Sequence, residues 1–81
     1  MITQDSIEQA YAFFHQKERI YSQSTSSRQR DDIEYAIAQY LAQMSPDLYQ
    51  WLADGRTGYL YDHATFAADI QEAVARLEAR L

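Results

Sequence analysis

Residues 31–52 read DDIEYAIAQYLAQMSPDLYQWL. Ile33, Ala36, Ile37, Tyr40, Leu41 and Met44 recur at spacings of three and four, which places them on one face of an α-helix. That face stops at Ser45-Pro46-Asp47. Proline lacks an N–H and its ring clashes with the turn before it, so a helix does not run through it unbroken; it suits the first position of a new helix instead. Serine ahead of it supplies a cap, and aspartate behind it complements the positive end of the helix dipole. Leu48, Trp51 and Leu52 then resume on one side. The stretch predicts helix, stop, helix, and this pattern sets the class of the whole chain.

Toward the N-terminus, Ser26 with Gln29, or Asp31 with Glu34, has the spacing of a capping box that starts the helix just described. The hydroxyl tract Ser22-Gln23-Ser24-Thr25-Ser26-Ser27 precedes it and reads as the main loop, because such side chains compete for backbone hydrogen bonds and favour turns. Before the loop, Ile7, Ala10, Tyr11, Phe14 and Tyr21 mark a first helix that Thr3 or Asp5 caps and that runs to about Tyr21.

Toward the C-terminus, the short helix ends near Asp54-Gly55, where glycine closes a helix in the left-handed conformation. Arg56-Thr57-Gly58 turns the chain. Asp62 is expected to cap a last helix, with Tyr61 and Phe66 spaced as a hydrophobic staple. Phe66, Ile70, Ala73, Val74, Leu77 and Leu81 form its stripe, and Glu72 with Arg76 makes an i,i+4 pair on its flank. The fold expected is all-α: a small antiparallel bundle of three long helices plus one short crossing helix, in a single domain spanning residues 1–81.

Composition narrows the function. The 81 residues carry seven basic and twelve acidic side chains, a formal net charge of −5, and no cysteine. Phosphate backbones and anionic membranes demand clustered Lys and Arg, and here Arg28 and Arg30 are followed at once by Asp31, Asp32 and Glu34, so neither nucleic acid nor membrane is an expected partner. The absence of cysteine removes disulfides and thiolate zinc sites, and with no apolar leader after Met1 the default compartment is the cytoplasm.

Catalytic patterns are equally sparse. His15 lies near Glu18 on the first helix, and His63 falls in the first turn of the last, where the helix dipole favours a neutral imidazole. Two scattered histidines define no metal set, so no metal or cofactor is expected. The serine tract has no neighbouring histidine and sits in no Gly-x-Ser-x-Gly elbow. Gly55-Arg56-Thr57-Gly58 lacks the ending of a phosphate loop and reads as a helix stop and turn.

The remaining signal is aromatic: seven tyrosines, three phenylalanines and one tryptophan. Such rings offer large rigid contact area at low entropy cost. Phe13 and Ile20 form a second apolar edge on the first helix with Lys17 between them, either as the margin of a wide core face over which Lys17 reaches to water, or as a contact edge. Tyr49 is expected to face outward when Leu48 and Leu52 point inward, with Tyr59 emerging from the turn nearby among Asp47, Asp54 and Asp62; alternatively Trp51, Tyr59 and Tyr61 plug the open end of the bundle. Phe13, Ile20, Tyr49 and Tyr59 are therefore the candidate partner contacts.

This plan of a short acidic chain, four helices and an abbreviated aromatic third helix resembles that of bacterial colicin-type immunity proteins, in which the third helix carries paired tyrosines where Tyr49-Gln50-Trp51 stands here. The resemblance implies an acidic, tyrosine-bearing surface that inhibits a nuclease. Taken with the residues, the expectation is a non-enzymatic, acidic helical protein-interaction module that self-associates, as a homodimer in the simplest case. The alternatives are an acidic inhibitor or immunity-type protein that binds a basic partner, and a small enzyme or ligand-binding protein whose site is shared at an oligomer interface.

Overall fold

The computed structural model describes residues 2–81. Four α-helices follow one another: α1 (Gln4–Gln23), α2 (Ser27–Gln43), α3 (Pro46–Ala53) and α4 (Phe66–Glu78), with a single 3-10 turn at His63–Thr65 leading into α4. No strand occurs among the described residues. The all-α bundle of three longer helices and one short one is the architecture the periodicity predicts.

Thr3 begins α1 with a reciprocal cap: its Oγ1 accepts from the Ser6 N–H at 3.1 Å, and the Ser6 Oγ accepts from the Thr3 N–H at 3.1 Å. Two of the N–H groups that a helix start leaves without partners are thereby satisfied. The α1 helix then lies antiparallel to α4. Near one end Tyr11 donates to the Glu78 carboxylate at 3.1 Å, and at the other the Tyr21 and Phe66 rings approach to 5.0 Å between centroids. Against α2 it is antiparallel as well, with Phe13 stacked on Tyr40 and the Arg30 guanidinium donating to the Ser24 carbonyl beyond the end of α1.

Hydroxyl chemistry shortens the expected main loop. Ser22 Oγ donates to the Arg19 carbonyl and Ser24 Oγ to the Ile20 carbonyl, so α1 continues to Gln23 and only residues 24–26 separate it from α2. Ser26 occupies the N-cap of α2 without a side-chain cap bond.

The break at Ser45-Pro46 is real. Met44 and Ser45 have extended ψ values of 163° and 131°, and α3 restarts with Pro46 at its first position. Ser45, however, makes no side-chain cap bond. Ser45→Ala is accordingly expected to change the unfolding free energy by less than about 0.5 kcal/mol. A urea titration checks this, and a loss near the ~1 kcal/mol of a formed cap would contradict the geometry.

The α3 helix closes with Asp54 in the left-handed region (φ 52°), followed by Gly55 (φ 82°). From there the chain doubles back under the bundle. Gly58 (φ 74°) and, unusually for a branched residue, Leu60 (φ 65°) also take positive φ, which lets this tight segment turn Tyr59 and Leu60 into the core, each at 1% exposure. Asp62 caps the 3-10 turn, its Oδ1 accepting from the Ala64 N–H at 2.9 Å, while Thr65 is the residue before α4.

The core gathers Ile7, Ala10 and Phe14 of α1, Ile33, Ile37 and Leu41 of α2, Leu48 and Leu52 of α3, Tyr59 and Leu60, and Phe66, Ile70, Ala73 and Leu77 of α4. Leu81 of the expected α4 stripe falls past the helix end and is 58% exposed. Tyr61 is not the staple partner of Phe66: it is 53% exposed and sets its ring edge-on to Tyr49. Glu72 pairs with Arg56 at 2.7 Å rather than with Arg76. Arg76 instead donates to the Leu52 carbonyl at the end of α3 and lies over the Trp51 ring, which Arg80 also covers.

Candidate functional site

The four candidate contact residues separate into different environments. Phe13 is half-buried and stacks on Tyr40 with centroids 4.4 Å apart and planes 13° from parallel. Lys17 places its ammonium over the Phe13 ring, 5.3 Å from the centroid, a cation–π contact. Ile20, one further turn along the same edge, is 41% exposed. Phe13 also borders a shallow groove against α2, while Ile20 lines a separate one on α1 with His15, Gln16, Arg19 and Gln23. The Phe13 groove, of about 230 Å³, is lined by Phe13, Ala36, Gln39, Tyr40 and Gln43. The adjoining groove, about 300 Å³, shares Tyr40 and Gln43 and adds Ser6, Gln9, Met44, Ser45 and Leu48. None of the side chains lining the Phe13 groove and the one adjoining it is charged. Tyr40 adds a hydroxyl whose pKa is raised by burial.

Tyr49 is half-buried and donates to the Tyr59 carbonyl at 2.8 Å, its pKa raised by burial and then by Tyr61. Tyr59 is a correction. Far from emerging among aspartates, it is buried at 1% exposure, donates from its hydroxyl to the Asp69 carbonyl at 3.1 Å, and carries the Arg56 guanidinium over its ring at 4.4 Å. Burial raises its pKa strongly. It serves the core plug that was the other reading of this segment, and it presents no contact surface. Tyr61 is exposed instead, as are Asp47, Asp54 and Asp62.

Two polar constellations escape a reading by sequence alone. The first centres on Asp69, the buried acid of the core at 3% exposure. Its Oδ2 accepts from the Leu60 N–H and the Thr65 hydroxyl, both at 3.1 Å, and its Oδ1 lies 3.4 Å from Arg56. This network locks the turn before α4 to α4 itself. A signal was present: Asp69 stands three residues after Phe66 and four before Ala73, inside the apolar stripe.

The second joins α2 to the 3-10 turn. His63 Nδ1 lies 3.0 and 2.9 Å from the two carboxylate oxygens of Glu34, and Asp31 stands one helical turn before Glu34. The hydrogen bond to Glu34 and its charge raise the His63 pKa above 6.5, against the opposing effect of desolvation, with Asp31 and Asp62 adding to the rise. A carboxylate 29 positions away in sequence thus opposes the helix dipole, which favours the neutral ring. No local pattern announces such a pairing. His15 stays apart, stacked on Tyr11 at 5.3 Å.

No family model matches the chain, and no significant match was found among curated proteins or solved structures. Among the described residues no helix is long and apolar enough to cross a membrane.

Proposed function

We propose that this chain is a non-enzymatic protein-interaction module of the cytoplasm that associates with a second copy of itself through the α1/α2 face. The observation that carries the reading is that the linked grooves beside Phe13 and Tyr40 are lined without a carboxylate, with the Lys17 ammonium over the Phe13 ring, in a chain where 19 of 81 side chains are charged and acids outnumber bases. Interface centres are depleted of charge and enriched in aromatic rings. Two copies of an acidic protein repel, so a self-contact favours the face that brings the fewest carboxylates together. A two-fold arrangement would set the Phe13/Ile20 edge of one copy against the same edge of the other. Small domains also gain stability by burying surface against a copy, and the gain depends on concentration.

The test is the mass in solution across a wide concentration range, by analytical ultracentrifugation. The expected result is a shift from one chain to two as concentration rises, and its loss when Ile20 and Gln39, both exposed, are changed to glutamate with helical content unchanged. A one-chain mass at every concentration would sink the proposal.

A second reading has one observation in its favour. The exposed Tyr61 sets its ring edge-on to Tyr49 at 6.0 Å, and its sequence neighbour Asp62 is exposed as well, features suited to the acidic, tyrosine-bearing surface that the resemblance to immunity proteins implies. On that reading Tyr61→Ala weakens binding to the basic partner and leaves the mass unaffected.

A further inference from the structure

We propose that Asp31, Glu34 and His63 form a binding site for a first-row divalent metal ion, zinc above all, which clasps the turn before α4 onto the N-terminal half of α2. Each of the three offers a ligand atom within 4.8 Å of the others. Ligands held ~2.1 Å from one ion stand roughly 3.0 to 3.4 Å apart, for right-angled or tetrahedral geometry, and the His63 and Glu34 atoms already lie 2.9 Å apart.

The two elements hold these side chains independently of any ion. Asp31 and Glu34 sit at i and i+3 on α2 and so share one face. Glu34 is held in place, with its side chain only 17% exposed and both carboxylate oxygens against the His63 ring nitrogen. His63 is placed by the turn that Asp62 caps through the Ala64 N–H, while its own ring is 75% exposed and leaves an open side where water completes the coordination.

Ligand chemistry selects the ion. Imidazole nitrogen suits zinc, nickel, cobalt and copper, whereas calcium and magnesium take oxygen alone. Two carboxylates balance the charge of a dication.

The experiment is calorimetric titration of the full chain with zinc chloride near neutral pH, repeated on His63→Gln, Asp31→Asn and, as a control remote from the site, His15→Gln. One zinc per chain is expected, with binding weakened at least about tenfold in the first two variants and unchanged in the third. Zinc should also raise the melting temperature of the unaltered chain, because binding to the folded state alone stabilises it, and should shift the His63 ring signals in NMR spectra. Should His63→Gln unfold, Asp31→Asn decides, since Asp31 is exposed. No binding at millimolar zinc, or binding that both variants leave intact, would overturn the site and reduce His63 and Glu34 to an ion pair.

Discussion

Leu77→Ala and Ile37→Ala are each expected to cost about 2–5 kcal/mol, the range for deleting a buried branched side chain and leaving part of its volume empty. Both residues are wholly buried, on α4 and α2 respectively, and belong to one core cluster. At roughly 0.05–0.15 kcal/mol per residue, a domain of this size has a total stability of the same order as that loss, so either variant approaches unfolding at room temperature. Urea titration is the measurement: the midpoint should fall while the dependence on denaturant stays the same, the sign of lost stability in an unchanged fold. Leu81→Ala is the matched control. It deletes the same side chain at a site 58% exposed and should stay within about 0.5 kcal/mol of the parent. Equal losses at Leu77 and Leu81 would mean that the buried face of α4 has been misassigned.

That contrast between two leucines four residues apart also marks how far sequence periodicity reaches. Ile33, Ile37 and Leu41, and Phe66, Ile70, Ala73 and Leu77, were legible because burying one face of a helix imposes its period on the apolar residues. The proline at position 46 was legible because its backbone chemistry is local. Where the helix ends is less visible, since the end depends on which carbonyls find partners. Ser22 and Ser24, read as loop residues, fold their hydroxyls onto the carbonyls of Arg19 and Ile20 and extend α1 by two residues beyond Tyr21.

Of the Phe13/Ile20 edge, Ile20 is exposed, while Phe13 packs partly against the core, as the margin of a wide core face also would. The burial of Tyr59 was not legible because its position is decided by a segment with four positive-φ residues, Asp54, Gly55, Gly58 and Leu60, and a tyrosine in an irregular segment has no period from which to read its direction. The clasp of His63 on Glu34 was invisible for a different reason: it depends on the packing of the turn against α2, and charge pairing across 29 residues leaves no local pattern.

Asp69→Ala is expected to cost about 3 kcal/mol, the upper range for losing hydrogen bonds to a charged acceptor and leaving a buried donor without a partner. The Leu60 N–H, bonded to Asp69 Oδ2 at 3.1 Å in buried surroundings, would have no acceptor, and the Thr65 hydroxyl would lose the same oxygen. Little of the cost comes from Arg56, whose side chain is 48% exposed and whose attraction water largely screens. The backbone offsets part of this cost, and lost burial adds to it. Leucine at φ 65° holds a conformation about 1–2 kcal/mol above the right-handed one, and it is kept there by the bond to Asp69 and by burial of its own side chain. With the carboxylate gone, the turn from Gly58 to Asp62 is free to relax, carrying Tyr59 out of the core. Asp69→Asn retains an acceptor for the Leu60 N–H and should cost less, about 1 kcal/mol. Urea titration measures the order Ala worse than Asn, and hydrogen exchange locates it: the Leu60 amide should be protected in the parent and exchange rapidly in Asp69→Ala while the α1 and α2 amides remain slow. If Asp69→Ala stays within about 0.5 kcal/mol of the parent, Leu60 and Tyr59 are held in place by apolar packing alone, and the buried acid has no part in securing the turn on which His63 rides.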